Sequence, residues 1–191
     1  MRRTISILFV FVAVLALTGG LPGGSVSAPP PPNPCDFVTG GGFIVRDNGV
    51  HGNFGVAGGC KNGNLWGHFE YVDHGSGLAP ATAPTPFRVH GTGVTGYFSP
   101  FGDLKTREIS GTAETNDPTF PLVDYCIRVT DNGEPGVNND EFVIRLSVFG
   151  VPIYTTEFNP NRLGGGNIQL HKPNPSTTGS FTSGSCLFSP L

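Results

Sequence analysis

Val123 to Phe149, VDYCIRVTDNGEPGVNNDEFVIRLSVF, is the stretch whose reading decides the fold. Val123, Tyr125, Ile127 and Val129 alternate with Asp124, Cys126, Arg128 and Thr130. After a break, Phe142, Ile144, Leu146 and Val148 alternate with Val143, Arg145 and Ser147. A period of two sends successive side chains to opposite faces of a pleated strand, so the stretch predicts two half-buried β-strands. Between them Asn132-Gly133 tolerates positive φ and Pro135-Gly136 suits a tight turn, a combination through which no helix runs.

The same connection crowds Asp131, Glu134, Asp140 and Glu141 among Asn132, Asn138 and Asn139. Oxygen donors at this density suit a hard cation, which makes Asp131, Glu134 and Asp140 candidate Ca²⁺ ligands. The D-x-[DN]-x-[DN]-G opening of an EF-hand loop is absent. The competing reading is a solvated turn whose Asp and Asn side chains bond their own backbone.

Outward from this hairpin the chain continues in the same style. Short β-rich runs are expected at Phe37 to Val45, Gly52 to Ala57, Leu65 to Asp73, Phe87 to Phe98, Arg107 to Thr115, Pro152 to Phe158 and Asn167 to His171. Turn formers separate them, and the sequence holds 29 Gly and 18 Pro with no amphipathic helical window after residue 28. The fold class is therefore all-β, an antiparallel two-sheet sandwich with a small closed β-barrel as the alternative.

The first residues carry Arg2 and Arg3, an apolar run from Ile5 to Leu17 and then small residues ending at Val26-Ser27-Ala28. That run is short for a bilayer span and right for a secretory signal, so residues 1–28 are expected to be a cleaved leader. Residues 29–34, PPPPNP, read as a stiff polyproline spacer, and 35–191 as a single β-domain. Losing the leader removes two arginines and no acid, which moves the formal charge from −3 to −5. A mildly acidic chain with three lysines is not built for nucleic acid or an anionic membrane surface.

Cys35, Cys60, Cys126 and Cys186 form an even set in a chain expected outside the cytoplasm, where they predict two disulfides. Three pairings exist. The favoured one joins Cys35 to Cys186, tying the ends of the domain, and Cys60 to Cys126, clipping a loop to the hairpin. Their spacing matches no zinc pattern.

In order along the chain, CDFVTGGGFI, NFGVAGG, LWGHFEYVDH, RVHGTGVTGY, ISGTAETN, RVTDNGEPGVNNDEFVIRL and LGGGNIQLHKP run from Cys35 to Pro173. This set of blocks resembles an exported bacterial domain family often found after a choice-of-anchor domain in surface proteins and sometimes standing alone. The resemblance implies a secreted or cell-surface β-domain. It brings no catalytic activity and no assigned ligand residue.

Chemistry-bearing residues cluster best in Leu65 to His74. Alternation puts Trp66, His68, Glu70 and His74 on one face, and His90 or His171 stands ready on other strands. His68, Glu70, His74 and His90 are thus candidate ligands for Zn²⁺ or a related metal, against the reading that they form the solvent side of strands. His90-Gly91-Thr92-Gly93-Val94-Thr95-Gly96 holds a literal G-x-G-x-x-G, but inside a strand-like run with no helix after it, so bulges or close strand packing explain it better than a phosphate cradle. No G-x-S-x-G elbow occurs, and paired cysteines leave no thiol nucleophile. The expected role is a non-enzymatic interaction or structural module with no resident cofactor, contacting a surface protein or a glycan. The alternative is a metal-binding barrel or metal-assisted enzyme.

Overall fold

A computed structural model of the chain describes residues 35–46, 49–75, 82–157 and 161–186, all within one unit, Pro32–Leu191. The expected leader, 1–28, and spacer, 29–34, lie outside the described residues. Nine strands follow in chain order: β1 (Phe37–Val45), β2 (His51–Lys61), β3 (Asn64–Asp73), β4 (Phe87–Phe98), β5 (Thr106–Thr115), β6 (Leu122–Thr130), β7 (Glu141–Val148), β8 (Val151–Thr155) and β9 (Leu163–His171). All pairings are antiparallel, in the order β8-β7-β6-β5-β4-β3-β2-β1-β9. Strands β1 to β8 form a meander in which each pairs with the next. Only β9 departs, returning to lie beside β1 with Phe37 opposite His171.

The sheet curls strongly. Phe54 on β2 stacks on Phe142 of β7 with ring centroids 4.0 Å apart, although five inter-strand steps separate the two strands. A flat sheet would hold them about 24 Å apart. The expected two-sheet sandwich is not confirmed: β1 is paired on both edges, and all nine strands join one curled, half-barrel sheet.

Curling brings the start of β9 against β7. The backbones of Glu141 and Arg162 pair in an isolated antiparallel β-bridge, Phe142 N–H donates to Asn161 O and Leu163 N–H to Asp140 O, each hydrogen bond at 2.9 Å. Farther along this outer edge of β9 no strand lies alongside among the described residues, and side chains of the β6–β7 connection take over. Asp140 Oδ2 accepts Ile168 N–H and Asp131 Oδ2 accepts Leu170 N–H, both at 2.8 Å. An open strand edge is thereby satisfied from a loop rather than left bare.

The concave side is filled. Phe54, Phe69 and Tyr71 surround Phe142, and Val89, Ile109, Ile127, Ile144, Leu146, Leu163 and Ile168 complete a core with essentially no exposure. Among them Ile127, Phe142, Ile144 and Leu146 are alternating residues of the hairpin singled out by the period of two. Glycines let the strands approach: a Cβ on Gly40 would lie 2.9 Å from Ile168, and one on Gly111 only 1.8 Å from Gly93 O. The glycines of β4 mark bulges, with register shifts at Gly91/Gly93 and Val94/Gly96.

Each end of the core carries a buried polar cluster. At one, Arg107 is clamped by Asp36, whose Oδ1 also accepts the Tyr97 hydroxyl at 2.7 Å. Burial works against the Arg107 charge, and the Asp36 bonds more than offset it, so its pKa is held above the ordinary value. At the other, Tyr71 and Tyr154 share a hydroxyl contact of 2.7 Å, and Tyr154 donates to Asp73 at 2.6 Å, beside Arg46.

The disulfides correct the pairing expected from the sequence: Cys35 joins Cys60 and Cys126 joins Cys186. Phe37 and Gly59 are cross-strand partners in β1 and β2, which puts Cys35 beside Cys60 with Cα atoms 5.7 Å apart. The segment after β9 bonds the β2–β3 turn through Asn62 and Gly63, stacks Phe181 on Tyr97 and then crosses the outer side of β5 and β6. There Ser185 Oγ and Cys186 N–H donate to the buried Glu108 carboxylate, and the Cys126 bond fixes the end in place. Two disulfides belong to an oxidising, extracytoplasmic setting. Among the described residues no helix is long and apolar enough to cross a membrane.

Candidate functional site

With the concave side packed, the convex side of β9, β1, β2, β3 and β4 carries the unexplained chemistry. The register arranges it in rows. Phe37 lies opposite His171, Gly59 and, across β2, Trp66; Thr39 opposite Gln169, Ala57 and His68; Gly41 opposite Gly55, Glu70 and His90; Phe43 opposite Asn53 and Val72. All five histidines stand on outward positions of this sheet, and those with a ring contact are held by neighbours rather than by the core.

Aromatic side chains end the face on both sides. The Phe37 ring stacks on His171 with centroids 4.2 Å apart and tilts against Trp66, over which Lys61 places its ammonium. Thr39 Oγ1 lies 2.8 Å from His171 Nε2 and fixes that imidazole. At the other side Phe43 stacks on His51 at 4.1 Å. Six residues of β1 separate Phe37 from Phe43, about 20 Å of strand.

Between these posts lie the Thr39 row, which carries side chains, and the Gly41 row, which is bare at Gly41 and Gly55. Nothing lies within 4 Å of a Cβ built on Gly55, and Gly41 in the same row meets only the Phe54 carbonyl at 3.5 Å. The bare glycines beside Phe43 leave a shallow cavity of about 400 Å³ bounded by Phe43, Asn53, Gly55, Glu70 and Val72. A larger cavity of about 640 Å³ lies near Lys105, Lys172 and His171 at an end of the sheet, floored by Arg107. Arg107 spends its donors on Asp36 and on the Asp103 and Thr106 carbonyls, so that floor is structural.

Of the residues expected to hold a transition metal, the structure gathers three. Glu70 Oε1 receives His90 Nδ1 and lies 3.4 Å from His68 Nε2, and the two imidazole centroids are 5.6 Å apart. All three side chains are about half exposed. His74 stands apart: it shares their face, but four residues of strand, about 13 Å, separate it from Glu70. It instead lines an open recess of about 520 Å³ with His51 and Asn53. The one trio of ligating atoms mutually within 4.8 Å among the described residues is Glu108 with Cys126 and Cys186, whose sulfurs are bonded to each other.

The residues expected to hold Ca²⁺ are engaged in the latch on β9. Asp140 is fully buried and accepts the Asn132 and Ile168 amides; Asp131 accepts those of Gly133 and Leu170; Glu134 accepts Asn167 Nδ2 at 2.9 Å. Phe37, Phe43, Asn53, Gly41 and Gly55 did not stand out in the sequence. Their signal was present in the alternation of β1, where Phe37 and Phe43 fall on the outward phase shared with Thr39. Apolar rings on the wet side of a strand are what a contact surface looks like. Neither a known family, nor a curated protein, nor a solved structure matches the chain, so the reading of this face rests on its own geometry.

Proposed function

We propose that the chain is an exported, non-enzymatic binding domain of the cell surface or the surrounding medium, and that it holds a carbohydrate chain across the outer face of β1, β2 and β3. The observation that carries this reading is the pairing of Gly41 with Gly55 between two aromatic posts. A ribbon-like ligand needs a floor without side chains, flat rings at its ends to stack on and planar polar groups along its edge. Asn53, Glu70, His68 and Gln169 supply the last. Export by residues 1–28 belongs to the same proposal, supported by Arg2, Arg3, the apolar run behind them and the disulfide-permissive setting of the fold. The resemblance to exported bacterial domains points the same way.

The test is a glycan array probed with the disulfide-intact chain, followed by calorimetry on any hit. Binding to a polysaccharide class that Phe43→Ala weakens about tenfold supports the reading. Failure to bind any glycan at millimolar concentration overturns it, as does binding indifferent to Phe43. Capture of a surface protein through the same face would replace carbohydrate by protein as the ligand.

A further inference from the structure

We infer that His68, Glu70 and His90 form a site for a single divalent transition-metal ion on the outer face of β3 and β4, with Glu114 of β5 as a fourth donor. The inference goes beyond the carbohydrate reading and stands without it. His68 and Glu70 are two residues apart on one strand and point the same way. His90 is the direct cross-strand partner of Glu70, and Glu114 is the direct partner of His90. Three adjacent strands therefore aim two imidazoles and two carboxylates at one patch, the mixed nitrogen and oxygen set that Zn²⁺, Ni²⁺ or Cu²⁺ accepts.

The existing contacts join both imidazoles to one carboxylate, while their own ligating nitrogens still stand more than 4.8 Å apart. Both imidazoles meet the same oxygen, Glu70 Oε1, one in hydrogen-bond contact and the other at 3.4 Å. Glu70 Oε1 is thus the point that both ring nitrogens face, and with an ion placed there the ligand atoms close on the ion instead of on each other. The rings now stand edge to face at 68° and must turn toward one another, a motion open to them because neither is packed in the core. Solvent exposure leaves room for water on the remaining coordination position. Because all four cysteines are in disulfides, no thiolate competes for the ion.

The competing histidines give the experiment its control. His51 and His74 line a separate recess on the same face, and His171 is committed to Phe37 and Thr39. Isothermal calorimetry with ZnCl₂ and, separately, NiCl₂ on the disulfide-intact chain should show one saturable equivalent. His90→Ala and His68→Ala should each weaken uptake about tenfold or more, and Glu70→Gln likewise. The double variant His51→Ala/His74→Ala should leave it within about twofold. Metal-free melting temperatures of His90→Ala and of the bulkier His90→Gln check that the sheet is intact, and nuclear magnetic resonance of the imidazole protons should show His68 and His90 moving with the added ion. No uptake at millimolar metal, uptake unaffected by His90→Ala, or loss on removing His51 and His74 instead would each overturn the site.

Discussion

Asp140 Oδ2 accepts the backbone amide of Ile168 at 2.8 Å, and its Oδ1 accepts that of Asn132 at 2.9 Å. One fully buried carboxylate thus serves both as the local anchor of the β6–β7 connection and as the substitute partner for the bare edge of β9. Asp140→Ala leaves the buried Ile168 amide without its acceptor, at about 1–3 kcal/mol, while water can take over the exposed Asn132 amide, so chemical denaturation should show a loss of about 1–3 kcal/mol. Because amides already occupy Asp131 and Asp140, neither Ca²⁺ nor a chelator should shift the melting temperature. A rise with millimolar Ca²⁺ would reinstate the connection as a cation site.

The disulfides close loops of different length. Cys35 and Cys60 are 25 residues apart, Cys126 and Cys186 60 apart. Chain-entropy reasoning assigns the first about 3.5 kcal/mol and the second about 4 kcal/mol. Cys126→Ser/Cys186→Ser should therefore destabilise somewhat more than Cys35→Ser/Cys60→Ser and should expose residues 172–186 to proteolysis, while the barrel-like core stays folded. A non-reducing peptide map should recover Cys35 linked to Cys60. Recovery of Cys60 linked to Cys126 would sink the assigned path of the C-terminal segment.

The misassigned pairing shows where sequence reading stops. The strands were legible because burial imposes a period of two, and the run Phe87 to Phe98 appears with its ends intact. The run expected at Gly52 to Ala57 stops short of Gly58 and Gly59. They continue the strand because the structure needs their missing side chains: a Cβ on Gly58 would meet Ile109 at 2.6 Å, and one on Gly59 would meet Phe37 at 2.4 Å. That extension carries Cys60 to the start of β1, next to Cys35. Single sheet or two was equally hidden, since it depends on β9 landing beside β1 and on Phe54 reaching Phe142, and neither contact leaves a mark in local pattern. Of the metal ligands expected from the sequence, His68 and Glu70 share the outward phase of β3, while His74 follows the end of that strand, about 13 Å from Glu70 along the chain.

All four tyrosines, Tyr71, Tyr97, Tyr125 and Tyr154, are pushed to higher pKa, chiefly because burial disfavours the phenolate. Tyr125 is raised to about 12 and the other three further. The unfolded chain titrates near 10, so it loses protons before the folded one does. The associated stabilisation is complete below pH about 10 and is lost as the pH climbs toward the folded values. Spectrophotometric titration should show almost no phenolate until the protein unfolds, and then all of it together. Early, gradual ionisation of one tyrosine would place that ring at the surface.

Gly111 and Gly55 make opposite predictions from the same residue type. A Cβ at Gly111 would sit 1.8 Å from Gly93 O and 2.7 Å from the Tyr125 ring, atoms with no freedom to retreat, so Gly111→Ala should cost about 3 kcal/mol in denaturant unfolding. At Gly55 a Cβ meets nothing within 4 Å, so Gly55→Ala should change stability by no more than about 0.5 kcal/mol. Gly55→Leu should also fold, since the added branch points to solvent between Phe43 and Glu70, but it fills the floor on which a ligand would lie. A folded Gly55→Leu protein that has lost its glycan locates binding on this face. A folded one that binds unchanged moves the ligand elsewhere while leaving the account of the core untouched.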